Sequence, residues 1–297
     1  MFRHLSPQLF ASAPAIADAA QASVQVERLR HTLDTADAVI VGAGAGLSTA
    51  AGLSYSGARF EDNFADFRAA FGIRDMYAGG FYPFPDPETY WGWWSRHIYL
   101  NRYAPAPGTP YRDLRKLLGD RDFFVLTTNV DHQFQLAGFP RKRLFYMQGD
   151  YGLFQCSVPC TQETYDNEEQ VRAMLKQQQG MRIPSALVPH CPRCGASMTV
   201  NLRVDDTFVE DAGWHAAQQR YAAFVQEHEN ARMLYLELGV GANTPGIVKY
   251  PFWQMTLDNP HATYACVNLG ESYAPQAIAG RSILVDADIA QALRQLC

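Results

Sequence analysis

The chain has 297 residues, 47% of them hydrophobic and 19% charged, which supplies a sizeable core and excludes disorder as the overall state. Lys and Arg number 25 against 30 Asp and Glu, a formal net charge of −5. With no Lys/Arg block, that balance argues against binding to nucleic acid or to an anionic membrane surface, and no apolar run is long enough for a membrane span.

Residues 1–23 read as an N-terminal extension. Its Ala-rich stretch is broken by Pro14, Asp18 and Gln21, so it lacks the apolar centre of a signal peptide, and a cytoplasmic protein is the expectation. Val26, Leu29 and Leu33 then keep helical spacing, and Ala38-Val39-Ile40-Val41 reads as a buried strand. It runs into the glycine turn Gly42-Ala43-Gly44-Ala45-Gly46-Leu47-Ser48 and the start of a helix. Residues 53–110 hold most of the aromatic bulk, from Phe60 to Trp94, in a helical pattern broken at Gly79-Gly80 and at Pro83, Pro85 and Pro87. By composition these rings are mostly core, with a part left for a loop over the site.

A helix over Tyr111 to Leu118 precedes the strand Phe123 to Thr127, which ends in Thr128-Asn129-Val130-Asp131. A third strand, Leu144 to Met147, reaches Gln148-Gly149. A cysteine-bearing region follows, with a polar middle from Gln162 to Gly180 that reads as a solvated helix or excursion. Beyond Asn201-Leu202-Arg203 come a helix from His215 to Glu229 and the strand Met233 to Leu238. The turn Gly239-Val240-Gly241-Ala242-Asn243, the strands Thr263 to Val267 and Ser282 to Val285, and a helix from Ala287 to Leu296 complete the chain. Short β-branched or aromatic strands alternating with helices predict a parallel sheet wound on both faces. Ligands of such sheets bind beyond the carboxyl ends of the strands, where the glycine turns, Asn129, Asp131 and Gln148 all fall.

Four of the six cysteines form two close pairs, Cys156-x3-Cys160 and Cys191-x2-Cys194. Two pairs across a spacer are how a chain surrounds a tetrahedral zinc ion, and Pro192 and Gly195 give the second pair a knuckle. His190 is an alternative ligand. Four thiolates leave no open coordination position, so the zinc is expected to be structural.

Gly42-x-Gly44-x-Gly46 after a strand lets backbone N–H groups approach a pyrophosphate. The hydride-transfer fingerprint fits poorly, because Leu47 stands where it needs glycine and Ser54-Tyr55-Ser56-Gly57 follows in place of an acidic-ended strand. Asn129 and Asp131 can form an Asx turn with a helix cap. Alternatively Asn129 meets a ligand hydroxyl or amide while Asp131 orients the loop.

Taken together, the glycine turn with Leu47-Ser48, Thr128-Asn129-Val130-Asp131, Gln148-Gly149, the four cysteines and Gly239 to Asn243 resemble the sirtuin family in order and spacing, from about Val39 onward. The resemblance implies a Rossmann-like NAD-binding domain over residues 24–150 plus 230–297, an inserted zinc module over 151–204, and chemistry at the nicotinamide–ribose bond. Two positions depart from the deacylases of that family, which carry His-Gly at Gln148-Gly149 and Pro-Asp-Phe-Arg at Ser54 to Gly57. The segments Asp75 to Phe84, Thr164 to Asn167, Asn201 to Arg203, Phe208 to Asp211 and Leu236 to Pro245 look like the macrodomain-linked microbial branch, SirTM. That branch implies protein ADP-ribosylation of a lipoylated glycine-cleavage H-like carrier, with a macrodomain hydrolase and a lipoate ligase as functional partners.

A carboxamide has no usable basicity near neutral pH, so Gln148 can hydrogen-bond a ribose hydroxyl but cannot take its proton, as a deacylase histidine does. Cleavage through an oxocarbenium-like state needs mainly positioning and electrostatic help. The resemblance therefore gives Asn129, Gln148 and Arg203 catalytic roles, with Arg203 facing the cleft or else pairing with Asp205 or Asp206. The NAD contacts it implies are Gly42, Ala43, Gly44, Gly46, Leu47, Ser48, Asn129, Asp131, Gln148, Gly239, Val240 and Gly241. Asn243 and Asn268 fall on the adenine-side ribose, and Asp286 and Ala287 on the adenine. The competing readings are an NAD-dependent lysine deacylase (delipoylase or deacetylase) and a catalytically silent NAD-binding module.

Overall fold

Strands that are apolar at every position should be covered on both faces, and they are: every residue of Ala38–Ala43, Phe123–Thr127 and Met233–Leu238 is buried. The computed structural model describes residues 12–13, 19–241 and 245–297. Its central sheet has six parallel strands in the order Ser282–Val285, Thr263–Val267, Met233–Leu238, Ala38–Ala43, Phe123–Thr127, Leu144–Tyr146. This is the doubly wound Rossmann-like architecture expected from the sequence.

Side chains alternate across the sheet as the two-residue period requires. Val39 and Val41 enter one core, with Leu29 and Leu33 of helix Ala19–Thr35, Leu114 of Pro110–Leu118 and Leu293 of Ile289–Leu296. Ala38 and Ile40 enter the other, with Trp214 and Phe224 of Ala212–Glu227 and Phe252 and Trp253 of Lys249–Asp258. The chain starts mid-sheet, builds outward to Leu144–Tyr146, then crosses back to lay Met233–Leu238 on the other side of its first strand. The point where the winding reverses lies between Ala38–Ala43 and Met233–Leu238, and it opens a crevice at the carboxyl edge.

A second, three-stranded antiparallel sheet, Tyr165–Asp166, Gly149–Cys156 and Met198–Leu202, carries the cysteines. The aromatic-rich segment, grouped above with the larger domain, buries its rings against this sheet. Phe60, Phe64, Phe67, Trp91 and Trp93 share one core with Phe154, Cys191 and Val200. Helix Met76–Gly80 ends at Gly79-Gly80 and the next, Pro87–Ile98, begins at Pro87, so the helical pattern breaks where the sequence places it. A Cβ on Gly79 would lie 2.0 Å from the Trp93 indole, so its glycine answers to helix–ring contact. The polar stretch 162–180 contains helix Glu168–Gln177, which is amphipathic and buries Val171 and Met174 in that core.

One buried ion pair lies beside the reversal, on the Met233–Leu238 side. The Lys249 ammonium donates to Glu237 Oε1 at 2.6 Å with both side chains fully buried. The Tyr264 hydroxyl donates to Oε2 at 2.5 Å, and the Cys266 thiol lies 3.5 Å from Oε1. The pair fastens the start of helix Lys249–Asp258 to the strand that leads into Gly239. Removing one partner strands a buried charge, so K249M should lose ~3–5 kcal/mol in urea unfolding, while E237L/K249M should regain most of it. A K249M protein as stable as wild type would contradict this account of the pair.

Candidate active site

Two glycine turns meet backbone to backbone where the winding reverses. Gly44 N donates to Leu238 O at 3.0 Å and Gly46 N to Gly239 O at 2.9 Å. A Cβ on Gly44 would lie 2.7 Å from Gly239 O, and one on Gly46 would lie 2.7 Å from Gly239 Cα. Gly239 itself has φ 63, in the region that favours glycine. Gly42 faces Val248 and Phe252, where a Cβ would come within 2.2 Å. Ala43 O accepts from Thr128 N at 3.1 Å, and the Leu47 side chain is core.

From this turn a directed hydrogen-bond chain runs inward. Asn129 Nδ2 donates to Gly44 O at 2.9 Å and to the Tyr111 hydroxyl oxygen at 3.1 Å. Tyr111 and Ser48 hydroxyls lie 2.7 Å apart, and Ser48 donates to the carboxylate of Asp131. With Asn129 as donor at one end and a carboxylate at the other, each hydroxyl in between donates onward. Asp131 Oδ1 also accepts from Gln133 N at 3.2 Å. Asp131 thus makes an Asx turn, one of the two readings the sequence allows. Burial pushes the Asp131 carboxyl up to about 6, against the hydrogen bond from Ser48 that holds it down.

The third strand delivers Gln148 on a tightly held turn. Met147 N donates to Thr127 O at 3.2 Å, Arg203 N donates to Gln148 O at 3.0 Å, and the Trp214 indole N–H donates to Met147 O at 3.0 Å. Gly149 has φ 99, and a Cβ there would meet Asn201 O at 2.0 Å. The turn is tied to the Asn129 loop through Tyr151 N donating to Val130 O at 2.9 Å. His132, the one described non-glycine residue in the left-handed region, with φ 64, places Nδ1 on Asp150. Asp150 is fixed in turn by Arg102 Nε at 3.1 Å and Gly152 N at 2.7 Å.

The Arg203 guanidinium pairs with Glu210, not with Asp205 or Asp206; Asp205 instead accepts from Thr207 N at 2.8 Å. It lies over the rings of Phe208 and Trp214, 4.6 and 5.5 Å from their centroids. At the far end of the crevice Asn268 Nδ2 donates to Val240 O at 3.3 Å and Gly270 N to Asp286 Oδ1 at 2.6 Å. Ala287 is half-buried beside the first core, and Gly241 is half-buried next to Val240. Asn243 lies outside the described residues. Sequence reasoning missed Tyr111, Asp150 and Trp214, and named His132 only as an imidazole that could reach a bound sugar. No local letter pattern marks Tyr111 or Trp214, whereas His132 and Asp150 adjoin motifs that were read.

The thiols of Cys156, Cys160, Cys191 and Cys194 all lie within 4.8 Å of one another, with Cys156–Cys194 and Cys160–Cys191 at 3.6 Å. A tetrahedron with Zn–S near 2.3 Å has edges of about 3.8 Å, so the set fits zinc. His190 is outside it, its Nδ1 3.2 Å from Gly195 O.

No family model matches the chain. It is 40% identical over 266 residues to the protein ADP-ribosyltransferase of Staphylococcus aureus, a span of 89% of this chain and 84% of that protein. It is 34% identical over 284 residues to a probable bifunctional ADP-ribose hydrolase/ADP-ribosyltransferase of Fusarium oxysporum, covering 89% of this chain and 46% of the fungal one. Among solved structures, a Sir2 homolog–NAD complex matches with a TM-score of 0.60 at 17% identity over 91% of each chain. A Sir2 protein bound to a propionylated peptide matches with a TM-score of 0.57 at 18% identity, over 91% of this chain and 96% of the other. These two likenesses concern the fold.

Two predictions follow from this geometry. Asp131 has a folded-state value near 6 against 3.8 unfolded, so it favours the folded state most below 3.8 and loses that contribution as pH rises through 6. Between pH 4 and pH 8, wild type should therefore lose up to ~3 kcal/mol relative to D131N in denaturant unfolding. A pH-independent difference would contradict the burial. Elemental analysis should find one zinc per chain, with metal content and soluble yield both lowered in C156S and C191S; full zinc in either variant would refute the ligand set.

Proposed function

We propose that this chain, which belongs to the sirtuin-fold family of protein ADP-ribosyltransferases, splits NAD at its nicotinamide–ribose bond and passes the ADP-ribose to a protein acceptor. The observation that carries this reading is the amide of Gln148 on a turn pinned at both of its carbonyls. Such a group can orient a ribose hydroxyl but cannot accept its proton.

In the step proposed, the glycosidic C–N bond breaks and nicotinamide leaves with the electron pair as a neutral molecule. The acceptor side chain then bonds the anomeric carbon through its nucleophilic atom, whose proton passes to solvent. Asn129 uses its amide N–H groups on Gly44 O and Tyr111, which directs its Oδ1 to the departing side of the site, where a ribose hydroxyl or amide would meet it. Asp131 and Ser48 hold that orientation. Arg203 supplies a fixed positive charge for a phosphate or for the acceptor. Gly44 and Gly46 bring backbone to the pyrophosphate, Val240, Gly241, Asn243 and Asn268 take the adenine-side ribose, and Asp286 with Ala287 takes the adenine. Zinc on the four thiolates would clamp the small module and do no chemistry.

For the acceptor we propose a lipoylated glycine-cleavage H-like carrier of the SirTM branch, with a macrodomain hydrolase and a lipoate ligase as functional partners in the cytoplasm. Among the described residues no helix is long and apolar enough to cross a membrane. Incubation with labelled NAD and the lipoylated carrier should label the carrier and release an equal amount of nicotinamide. N129A should slow both by about 100-fold, the effect of misplacing a reacting group. Nicotinamide release with an unlabelled, delipoylated carrier would establish deacylation instead, and NAD binding without turnover would establish a silent module.

A further inference from the structure

Helix Ala212–Glu227 belongs to the sheet's flank, yet its first turn reaches the site. Asp211 caps it by accepting from Trp214 N at 2.8 Å, which fixes the indole relative to the helix axis. The indole is nearly buried and stacks edge-on against Phe145 of the third strand at 5.1 Å. From there its N–H donates to Met147 O, and its ring lies beneath the Arg203 guanidinium. Arg203 in turn donates its backbone N–H to Gln148 O. One side chain thus contacts the peptide that precedes Gln148 and the charge that follows the small sheet.

We infer that Trp214 is a positioning residue, which sets Gln148 and Arg203 as one unit through its indole N–H and its ring face. The consequence for reactivity rests on the roles given above to Gln148 and Arg203; the mechanical coupling does not. Without the indole N–H, Met147 O loses a partner, and the turn keeps Met147 N on Thr127 O, Arg203 N on Gln148 O and Tyr151 N on Val130 O. A hydrogen bond of this kind contributes ~1 kcal/mol, or about a 5-fold change in local opening. Because the turn sets the reach of the Gln148 amide, a shift there acts on the chemical step more than on NAD binding.

The cleanest variant places β-(3-benzothienyl)alanine at position 214, which keeps the ring and deletes only the N–H; W214F is the genetically simple companion. F224L serves as the stability control, since Phe224 lies on the same helix and packs on Phe124 at 5.6 Å, away from the turn. Hydrogen–deuterium exchange of the amides of residues 148–151 should accelerate about 5-fold in both position-214 variants and stay at the wild-type rate in F224L. With NAD and the lipoylated carrier, kcat for nicotinamide release should fall 5- to 10-fold with KM for NAD within 2-fold, and W214H, which restores a ring N–H, should recover part of it. Unchanged exchange at 148–151, or a kcat loss matched by F224L at equal melting temperature, would overturn the inference. A wild-type protein that releases no nicotinamide would refute the proposed reaction, and the exchange measurement would still decide whether Trp214 holds the turn.

Discussion

Asn129 heads a chain of hydrogen bonds that passes through Tyr111 and Ser48 to the buried carboxylate of Asp131, and the carboxyl edge of the sheet is organised around it. Three elements contribute: the glycine turn's helix gives Ser48, the helix Pro110–Leu118 gives Tyr111, and the loop after Phe123–Thr127 gives both Asn129 and Asp131. Such a chain has a single consistent direction, so it fixes which way the Asn129 amide faces. The cost is a carboxylate in a place that disfavours its charge. That cost is tolerated because Ser48 and the Gln133 amide both donate to it, and because a rigid amide at the crevice is what differential stabilisation of a developing cation requires.

The glycines around the crevice are needed for close packing. Gly44, Gly46 and Gly239 interlock so closely that a methyl group on any of them would collide with backbone. This packing brings the two turns together before any ligand arrives. The same bare backbone also carries the hydrogen bonds between the turns, Gly44 N to Leu238 O and Gly46 N to Gly239 O. Behind it, the Glu237–Lys249 pair anchors the strand that leads into Gly239, so the Gly239 side of the crevice is held by charge and the Asn129 side by hydroxyls.

The six strands of the parallel sheet were legible nearly to the residue because fully buried, apolar runs of Val, Ile, Phe and Leu leave few alternatives, whereas the more mixed antiparallel strands Gly149–Cys156, Tyr165–Asp166 and Met198–Leu202 were not read. The cysteine spacing was legible because zinc geometry constrains it. What escaped was non-local. Trp214 lies 67 residues from the carbonyl it binds, and nothing in the letters around either end announces the contact. The aromatic segment was read as core, but the core it joins, that of the cysteine module, is set by tertiary packing. Helix caps moved two ends: Asp211 starts its helix before His215, and Asp288 starts the last one after Ala287. Glu210 was passed over for Asp205 and Asp206 because sequence proximity says little about which acid an arginine reaches.

In the proposed reaction, an amide in place of a base would separate bond cleavage from the later proton transfers that resolve a deacylation. His132 is the nearest rival for that missing function, since its ring already leans on Asp150 in the manner of a general base. A crystal structure with bound ADP-ribose discriminates between them. The account predicts the Gln148 amide within hydrogen-bonding distance of a ribose hydroxyl and His132 still on Asp150. An imidazole of His132 turned onto the ribose, with Gln148 out of reach, would restore a proton acceptor to the site and contradict the account.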